Sequence, residues 1–224
     1  MEKTYSSVDN KDTPLDRKLD EIFQKKNGFF IELGANDGLK QSNTAFFEFF
    51  REWRGILIEP SIETAKKCKI NRPNSICLNY ACVSDNHRYP VVLGDFNGDL
   101  MSSVNGYRIN SNLSSNNLIL VPAAPLEKLL DENLVYNQNI DFLSLDVEGY
   151  EYEVLQGMNL NKYRPNYMLI EIYEQKKDKI FEYLRSNNYK LYSNFTEYNP
   201  KDNPLWDGLH NDYLFYDVLF KNKN

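Results

Sequence analysis

The stretch FFIELGANDG, residues 29–38, is the part of the sequence that most clearly indicates the fold. It opens with an apolar run at 29–33 that only Glu32 interrupts, and it turns at Gly34. A short apolar run of this kind is typical of a strand buried inside a parallel sheet. Gly34 and Gly38 permit a tight turn and a close approach of the backbone to a ligand. The stretch predicts a strand, a ligand-binding turn and a helix, with an ordinary glycine turn as the alternative.

Strand-like and helix-like patterns alternate along the rest of the chain. The main strand-like runs lie at 55–58, 75–83, 141–145 and 167–172, and helix-like segments lie at 44–53, 62–70, 151–158 and 174–188. Shorter strands are expected at 89–93, 118–121, 189–193 and 213–220, with a helix at 125–130. Such alternation predicts a Rossmann-like α/β fold, in which a mostly parallel sheet carries helices on both faces. Ligands bind such sheets at the carboxyl ends of the strands, where the strand order reverses.

The length and local composition predict the domain organisation. A chain of 224 residues suits one domain with a single sizeable core. Residues 1–27 are expected to form a frayed polar lead and then a helix that Thr13 caps, and one domain is expected over 28–224. Residues 94–117 are rich in Gly, Asn and Ser, and a loop of this length predicts either a lid or a disordered insert.

Charge and cysteine content exclude several classes of function. The net charge of −6 disfavours a nucleic-acid partner, because an acidic protein repels the phosphate backbone. The three cysteines, Cys68, Cys77 and Cys82, form no CxxC pair, which argues against a disulfide framework and a zinc site. The polar start does not resemble a signal peptide, and no segment approaches the roughly 20 apolar residues of a membrane helix. We therefore expect a soluble, cytoplasmic protein without a membrane span.

Acidic residues stand at the first two strand ends. The turn GANDG is not the GxGxxG of a dinucleotide site, and Glu32 beside it suits a positively charged ligand better than a pyrophosphate. Glu59 ends the second strand, directly before Pro60 and 21 residues after Gly38. A carboxylate at that place is positioned to accept hydrogen bonds from both hydroxyls of a ribose. A solvated glutamate before a proline turn is the alternative for Glu59.

Three further acids stand at the ends of the fourth and fifth main strands. Asp146 and Glu148 alternate along a strand that is otherwise apolar, and Glu171 lies near the end of the next. Carboxylates in such surroundings are costly unless they find partners. Their convergence predicts cation binding, general-base chemistry, or both, with helix caps and exposed strand ends as the alternative. Asp146 and Glu171 together would suit Mg²⁺ or Mn²⁺ with water ligands.

These residues together resemble the FkbM-type methyltransferase family. The matching stretches are FFIELGANDG (29–38), SNTAFFEFFREWRGILIEP (42–60), NYACVSD (79–85) and DFLSLDVEGYEYEVLQG (141–157). The resemblance covers roughly residues 28–175. It implies a class I methyltransferase fold with a seven-stranded, mostly parallel sheet that uses S-adenosylmethionine. It also implies O-methyl transfer to a hydroxyl of a sugar, nucleotide sugar or glycan.

Site residues carried over from the family divide into cofactor and catalytic groups. The resemblance implies a turn from Glu32 to Gly38 under the methionine moiety, a helix start at Ser42 near the cofactor's carboxylate, Glu59 at the ribose, and a segment from Ala81 to Asp85 beside the adenine. The full cofactor set is Glu32, Gly34, Ala35, Asn36, Gly38, Ser42, Glu59, Pro60, Ala81, Asp85 and Asp146. The base that takes the acceptor's proton is expected to be Asp146, Glu148 or His210. His210 enters this group because the loop at 194–212 returns to the carboxyl edge in this fold, although a structural histidine is the alternative.

Three rival functions fit parts of the sequence. A nicotinamide oxidoreductase on a related sheet lacks support, because the GxGxxG turn is missing. A non-catalytic partner subunit would also keep Glu59, but the intact acidic set argues against decay of an active site. A methyltransferase acting on protein or another small molecule stays open, whereas the net charge opposes nucleic acid.

Overall fold

The structure, a computed structural model, describes residues 2–96, 104, 118–133, 135, 138–204 and 208–221. The helices are α1 (Leu15–Phe23), α2 (Ala45–Arg51), α3 (Ile62–Asn71), α4 (Leu126–Glu132), α5 (Glu151–Gln156), α6 (Lys177–Ser186) and α7 (Val218–Lys221). The strands are β1 (Phe29–Leu33), β2 (Arg54–Ile58), β3 (Ile76–Leu78), β4 (Ala81–Val83), β5 (Val91–Gly94), β6 (Ile119–Pro125), β7 (Phe142–Leu145), β8 (Tyr167–Tyr173), β9 (Tyr189–Asn194) and β10 (His210–Asp217). A short 3-10 helix at Glu174–Lys176 precedes α6.

Seven of these strands form the main sheet, in the order β3-β2-β1-β7-β8-β10-β9. The strands from β3 to β8 in that order are parallel, and β10 is antiparallel to both of its neighbours. The strand order reverses between β1 and β7, so their carboxyl ends border the crevice in which such sheets bind ligands. The predicted mostly parallel, Rossmann-like sheet is confirmed.

Helices cover both faces of the main sheet and bury its apolar strands. On one face, Phe30 of β1 packs with Leu15 of α1 and Phe46 of α2. On the other face, Ile31 of β1 packs with Leu155 of α5. Consecutive residues of β1 therefore contribute to two different cores, which explains why its sequence is continuously apolar instead of alternating.

The run at 75–83 was predicted as one strand, and this prediction is wrong. Strand β3 forms the edge of the main sheet, whereas β4 pairs with β6 in a separate three-stranded sheet that also contains β5. The chain leaves the main sheet at Asn79, whose side-chain amide donates hydrogen bonds to the carbonyl oxygens of Glu59 and Pro60 at 2.9 and 2.8 Å. These bonds fold the chain back over the end of β2, beside the crevice.

The N-terminal segment, predicted as a frayed lead, is instead held against the domain by buried carboxylates. Asp9 accepts a hydrogen bond from Lys18 Nζ of α1 at 2.9 Å. Asp16, which is fully buried, accepts one from the backbone N–H of Tyr5 at 2.7 Å. We call residues 4–13 the N-terminal strap.

Two further element boundaries differ from the predictions. Helix α1 begins at Leu15 without a side-chain cap, so Thr13 does not cap it. Strand β10 begins at His210, earlier than predicted, because its register extends to the pairing of His210 with Tyr173 on β8. The strand gives way to α7 at Val218, inside the segment predicted as strand.

Most of the loop predicted at 94–117 lies outside the described residues. Within it, Gly94 and Val104 form one antiparallel bridge, and Phe96 and Val104 are buried. Among the helices that the structure describes, none is long and apolar enough to cross a membrane.

Candidate functional site

A cavity of about 270 Å³ opens at the carboxyl ends of the central strands. The turn after β1 and the end of β2 form what we call its turn side. The acids that follow β7 and lie on β8 and β10 form what we call its acid side. The predicted site residues that line the cavity are Gly34, Asn36, Glu59, Pro60, Ala81, Asp146, Glu148, Glu171 and His210. The structure therefore brings together the two groups of residues that the sequence analysis selected separately.

The turn after β1 packs directly against the end of β7. Gly34 has a φ of +76°, and a Cβ atom at this position would lie 1.8 Å from the carbonyl oxygen of Asp146. Only glycine fits such a contact. Asn36 is also left-handed, with a φ of +47°, and its backbone N–H donates to Glu59 Oε2 at 2.9 Å. These contacts place the ends of β1, β2 and β7 side by side.

Glu59 lies immediately after β2 and presents a buried carboxylate to the cavity. One oxygen accepts the hydrogen bond from Asn36, and the other accepts one from the backbone N–H of Ser61 at 2.8 Å. Burial raises the pKa of Glu59, although both backbone hydrogen bonds favour the charged form. Carboxylate oxygens keep further lone pairs, so Glu59 is still able to accept hydrogen bonds from ligand hydroxyls.

Glu32 makes its contacts on the far side of the turn, outside the cavity lining. Its carboxylate accepts hydrogen bonds from Ser42 Oγ at 2.9 Å, Thr44 Oγ1 at 2.5 Å and the backbone N–H of Asn43 at 2.9 Å. These groups lie at the start of α2, so Glu32 fixes that helix end against β1. Ser42 also lies outside the lining, whereas its neighbour Asn43 lines the cavity.

Arg72, which the sequence analysis did not select, is fully buried behind the turn. Its Nε lies 2.8 Å from Glu48 Oε2, and its two terminal nitrogens donate to the Gly38 carbonyl oxygen and to Thr44 Oγ1, both at 2.9 Å. A Cβ atom on Gly38 would lie 2.7 Å from Arg72 Cγ, so Gly38 makes room for this arginine. A single arginine after a helix has no local sequence signal that distinguishes it from an exposed one.

Gly38 and two further predicted residues also lie outside the cavity lining. Ala35 is buried in the apolar core that α2 covers. Asp85 is exposed in the turn after β4. Of the segment predicted beside the adenine, Ala81 and Cys82 line the cavity, together with the preceding Tyr80.

Three carboxylates converge on the acid side. Asp146, Glu148 and Glu171 each place one oxygen within 4.8 Å of the others. Glu148 and Glu171 are buried, and Asp146 is open to the cavity. Glu148 has a φ of +56° and accepts a hydrogen bond from the Tyr173 hydroxyl at 2.7 Å. A left-handed conformation is uncommon outside glycine, and such strain is concentrated at functional sites.

The antiparallel pairing of β10 with β8 adds two ionisable residues to the cluster. In the register of these strands, Asp212 lies opposite Glu171 and His210 lies opposite Tyr173. His210 Nε2 is 3.3 Å from Glu171 Oε1, and the His210 and Tyr173 ring centroids are 5.4 Å apart. Asp212 was not predicted from the sequence. Its spacing of two residues from His210, which places both on one face of a strand, is the signal that would have found it.

The crowding of acids raises their pKa values. The pKa of Asp146 lies well above its ordinary value, because surrounding protein atoms desolvate the carboxyl and because Glu148 and Asp212 are near, even though cavity solvent reaches the side chain. The pKa of Glu171 is raised for the same reason, with burial as the largest cause and Asp146 as the next. Burial raises the pKa of Asp212 to about 7. Such a cluster is able to accept a proton from a ligand or to bind a cation near neutral pH.

The N-terminal strap supplies part of the cavity wall. Its Ser7 lines the cavity, as do Gln41 and Tyr198. Ser6 forms a parallel bridge with Gln41, and the Tyr198 hydroxyl donates a hydrogen bond to the carbonyl oxygen of Val8. The strap therefore connects the loop after β1 with the loop between β9 and β10.

Residues 32–191 match the methyltransferase FkbM domain, and this match covers well over half of the 224 residues. The chain belongs to the FkbM methyltransferase family. The resemblance inferred from the GANDG and LDVEGYE stretches is thereby confirmed. No curated protein gives a significant sequence match to the enzyme.

Solved structures that resemble the enzyme include methyltransferases at low sequence identity. A precorrin-6y C5,15-methyltransferase from Geobacter metallireducens is 9% identical with a TM-score of 0.50, and the match covers 91% of this chain and 87% of that one. A TehB-like S-adenosylmethionine-dependent methyltransferase from Corynebacterium glutamicum is 6% identical with a TM-score of 0.46, covering 91% and 86%. At such identities the likeness concerns the fold alone, which is that of class I methyltransferases. With the family match, the chain is a methyltransferase.

Proposed function

We propose that the turn side of the cavity binds S-adenosylmethionine and that the acid side binds a hydroxyl acceptor. The enzyme would then be an O-methyltransferase for a sugar, nucleotide sugar or glycan. The observation that carries this proposal is the single cavity in which Glu59 and the turn face the cluster of Asp146, Glu148 and His210. A methyl donor and an acid–base group must meet in one place for this reaction.

The turn side has the groups that the cofactor needs. Glu59 offers carboxylate oxygens for the ribose hydroxyls, and Gly34 and Asn36 line the cavity where the methionine moiety would lie. Pro60, Tyr80, Ala81 and Cys82 line the cavity beside Glu59 and provide surfaces for the adenine. The lack of a glycine-rich pyrophosphate turn favours this cofactor over a nicotinamide dinucleotide.

The protein's part in the proposed reaction is to position the acceptor and take its proton. When bound, S-adenosylmethionine supplies a methyl group on a sulfonium, which is a good leaving group. Alignment of the acceptor oxygen with the methyl–sulfur bond contributes roughly 7–11 kcal/mol at best. We assign the role of general base to Asp146, because its side chain is open to the cavity. Glu148, in contrast, accepts a hydrogen bond from Tyr173, and His210 pairs with Glu171. A raised pKa makes Asp146 a stronger base than an ordinary aspartate.

A divalent cation is the second way to activate the same hydroxyl. Asp146 and Glu171, with Glu148 as a third ligand, offer the oxygen donors that Mg²⁺ and Mn²⁺ prefer. Titration of the full chain with Mn²⁺, followed by electron paramagnetic resonance, tests this role directly. Binding should disappear in Glu171→Gln and persist in Glu174→Gln, which changes an exposed residue just after β8. If wild-type protein binds no Mn²⁺, the metal role is wrong and the hydroxyl is activated by proton transfer to Asp146 alone.

The charge of the cavity predicts which acceptors react best. Its described lining has five acids, Glu59, Asp146, Glu148, Glu171 and Asp212, against the single ammonium group of Lys40. Although their pKa values are raised, the acids that are ionised would repel a phosphate-bearing acceptor, so neutral sugars and glycans should react faster than nucleotide sugars.

A screen with methyl-labelled S-adenosylmethionine checks this order. Neutral oligosaccharides, nucleotide sugars, small proteins and catechols are offered in parallel, with Asp146→Asn as the inactive control. We expect transfer to a neutral sugar as an alkali-stable methyl ether. Transfer only to protein would contradict the proposed acceptor class, and transfer only to nucleotide sugars would contradict the predicted order. Either result would leave the cofactor assignment intact.

A further inference from the structure

Two of the three cysteines lie side by side at one edge of the main sheet. Cys68 is on α3 and Cys77 is on β3, and their Sγ atoms are 3.4 Å apart. A disulfide bond is about 2.05 Å long, so closing the bond requires a shift of little more than 1 Å, which side-chain rotations divide between the two residues. The third cysteine, Cys82, lies on β4 in the separate three-stranded sheet.

The two thiols differ in access. Cys68 is fully buried, whereas Cys77 is half-buried on β3, the outermost strand of the sheet. The thiolate that attacks a disulfide from solution must be accessible to solvent. The second thiol, which displaces the resulting mixed disulfide, needs only to contact the first sulfur. The geometry therefore assigns the first step to Cys77 and the second to Cys68.

The charges around the pair favour the same order. The pKa of Cys77 is lowered, chiefly by its hydrogen bond with the Cys68 thiol, and the nearby Arg72 guanidinium adds to this effect against the opposing effect of burial. The pKa of Cys68 is raised by the same hydrogen bond and by burial. A nearby cation and a thiol donor are the usual causes of thiolate reactivity.

We propose that Cys68 and Cys77 form a redox-active dithiol, which a small-molecule disulfide such as oxidised glutathione converts to an intramolecular disulfide. The Cys77 thiolate attacks one sulfur of oxidised glutathione, forming a mixed disulfide and releasing one glutathione thiolate. Cys68 then loses its proton and attacks the Cys77 sulfur, which releases the second glutathione. The two cysteines are oxidised by two electrons, and one molecule of oxidised glutathione is reduced to two thiols.

The bond would form close to the cofactor turn. A Cβ atom on Gly38 would lie 3.0 Å from Cys68 Sγ, so the sulfur packs directly beneath the turn that follows β1. Helix α3, which carries Cys68, begins directly after the turn that holds Glu59. The disulfide would therefore tie this helix to the edge strand behind the turn side of the cavity.

The test uses the reduced full chain, incubated with oxidised glutathione and then denatured for thiol titration and intact-mass measurement. We expect the wild type to fall from three free thiols to one and to lose the mass of two hydrogen atoms, with reversal by dithiothreitol. Cys68→Ser should stop at a glutathione adduct on Cys77, and Cys77→Ser should keep its thiols. Cys82→Ser is the matched control and should oxidise as the wild type does.

Three results would overturn the proposal. One is a wild type that keeps all three thiols. Another is a stable glutathione adduct on wild-type protein, because it would mean that Cys68 does not complete the exchange. The third is a disulfide between two chains in place of the loss of two hydrogen atoms within one chain.

Discussion

Asp146→Asn is expected to lower the turnover of methyl transfer roughly 100- to 10,000-fold, the usual contribution of a positioned general base. The amide keeps the shape of the carboxyl but can neither take the acceptor's proton nor serve as an anionic ligand to a cation. Initial rates of S-adenosylhomocysteine release measure the effect, with calorimetric affinity for S-adenosylhomocysteine expected to stay within a few-fold of wild type. Asp178→Asn, an exposed change on α6, is the control and should keep full turnover.

The dependence of the rate on pH gives an independent check on the same residue. A general base works only when deprotonated, and the pKa of Asp146 is raised by desolvation from the surrounding protein atoms and by the neighbouring Glu148. Turnover should therefore fall as the pH falls through this raised pKa, at a higher pH than for an ordinary aspartate. Full turnover in Asp146→Asn, Glu148→Gln and His210→Ala alike would show that the acid side takes no part in the chemistry.

Arg72→Ala should lower the free energy of unfolding by about 3–5 kcal/mol, the range for removing one partner of a buried ion pair. Arg72 and Glu48 are both fully buried at the side chain, with Glu32 Oε2 at 3.6 Å from the same guanidinium. The substitution leaves both carboxylates without their cation, and it opens a space beside Gly38. Urea denaturation followed by circular dichroism measures the change.

A matched arginine separates this effect from a general loss of charge. Arg54→Ala removes an exposed guanidinium at the first residue of β2 and should change stability by no more than about 0.5 kcal/mol. A loss below about 1 kcal/mol in Arg72→Ala would mean that the ion pairs behind the turn contribute little to the fold.

The fold and the strand-end residues could be predicted because local sequence determines them. Continuous apolar runs indicated buried parallel strands, and β1, β2, β7 and β8 lie where those runs lie. Chain order alone places the residues after each such strand at one edge of the sheet. Asp146, Glu148 and Glu171 were therefore predicted to converge, and they line one cavity.

Other features depend on contacts between distant parts of the chain. Asp212 joins the acid side through the register of an antiparallel strand pair, and single-sequence patterns do not determine that register. Glu32 was predicted at the cofactor, but its hydrogen bonds to the start of α2 lie on the other side of the turn. The strap lines the cavity through Ser7, and a hydrogen bond from Tyr198, which is distant in sequence, holds it at Val8. Its polar composition alone suggested a frayed lead.

The most direct test of the central assignment is calorimetric binding of S-adenosylhomocysteine to wild-type protein and to Glu59→Ala, with Glu63→Ala as the exposed control. Hydrogen bonds to a charged group contribute about 1.5–3 kcal/mol, so Glu59→Ala should weaken binding roughly 10- to 150-fold. The account predicts micromolar binding to wild type and to Glu63→Ala, with this loss confined to Glu59→Ala and no binding of NAD to any of them. Folded wild-type protein that binds no S-adenosylhomocysteine, or a Glu59→Ala variant that binds it as tightly as wild type, would contradict the account.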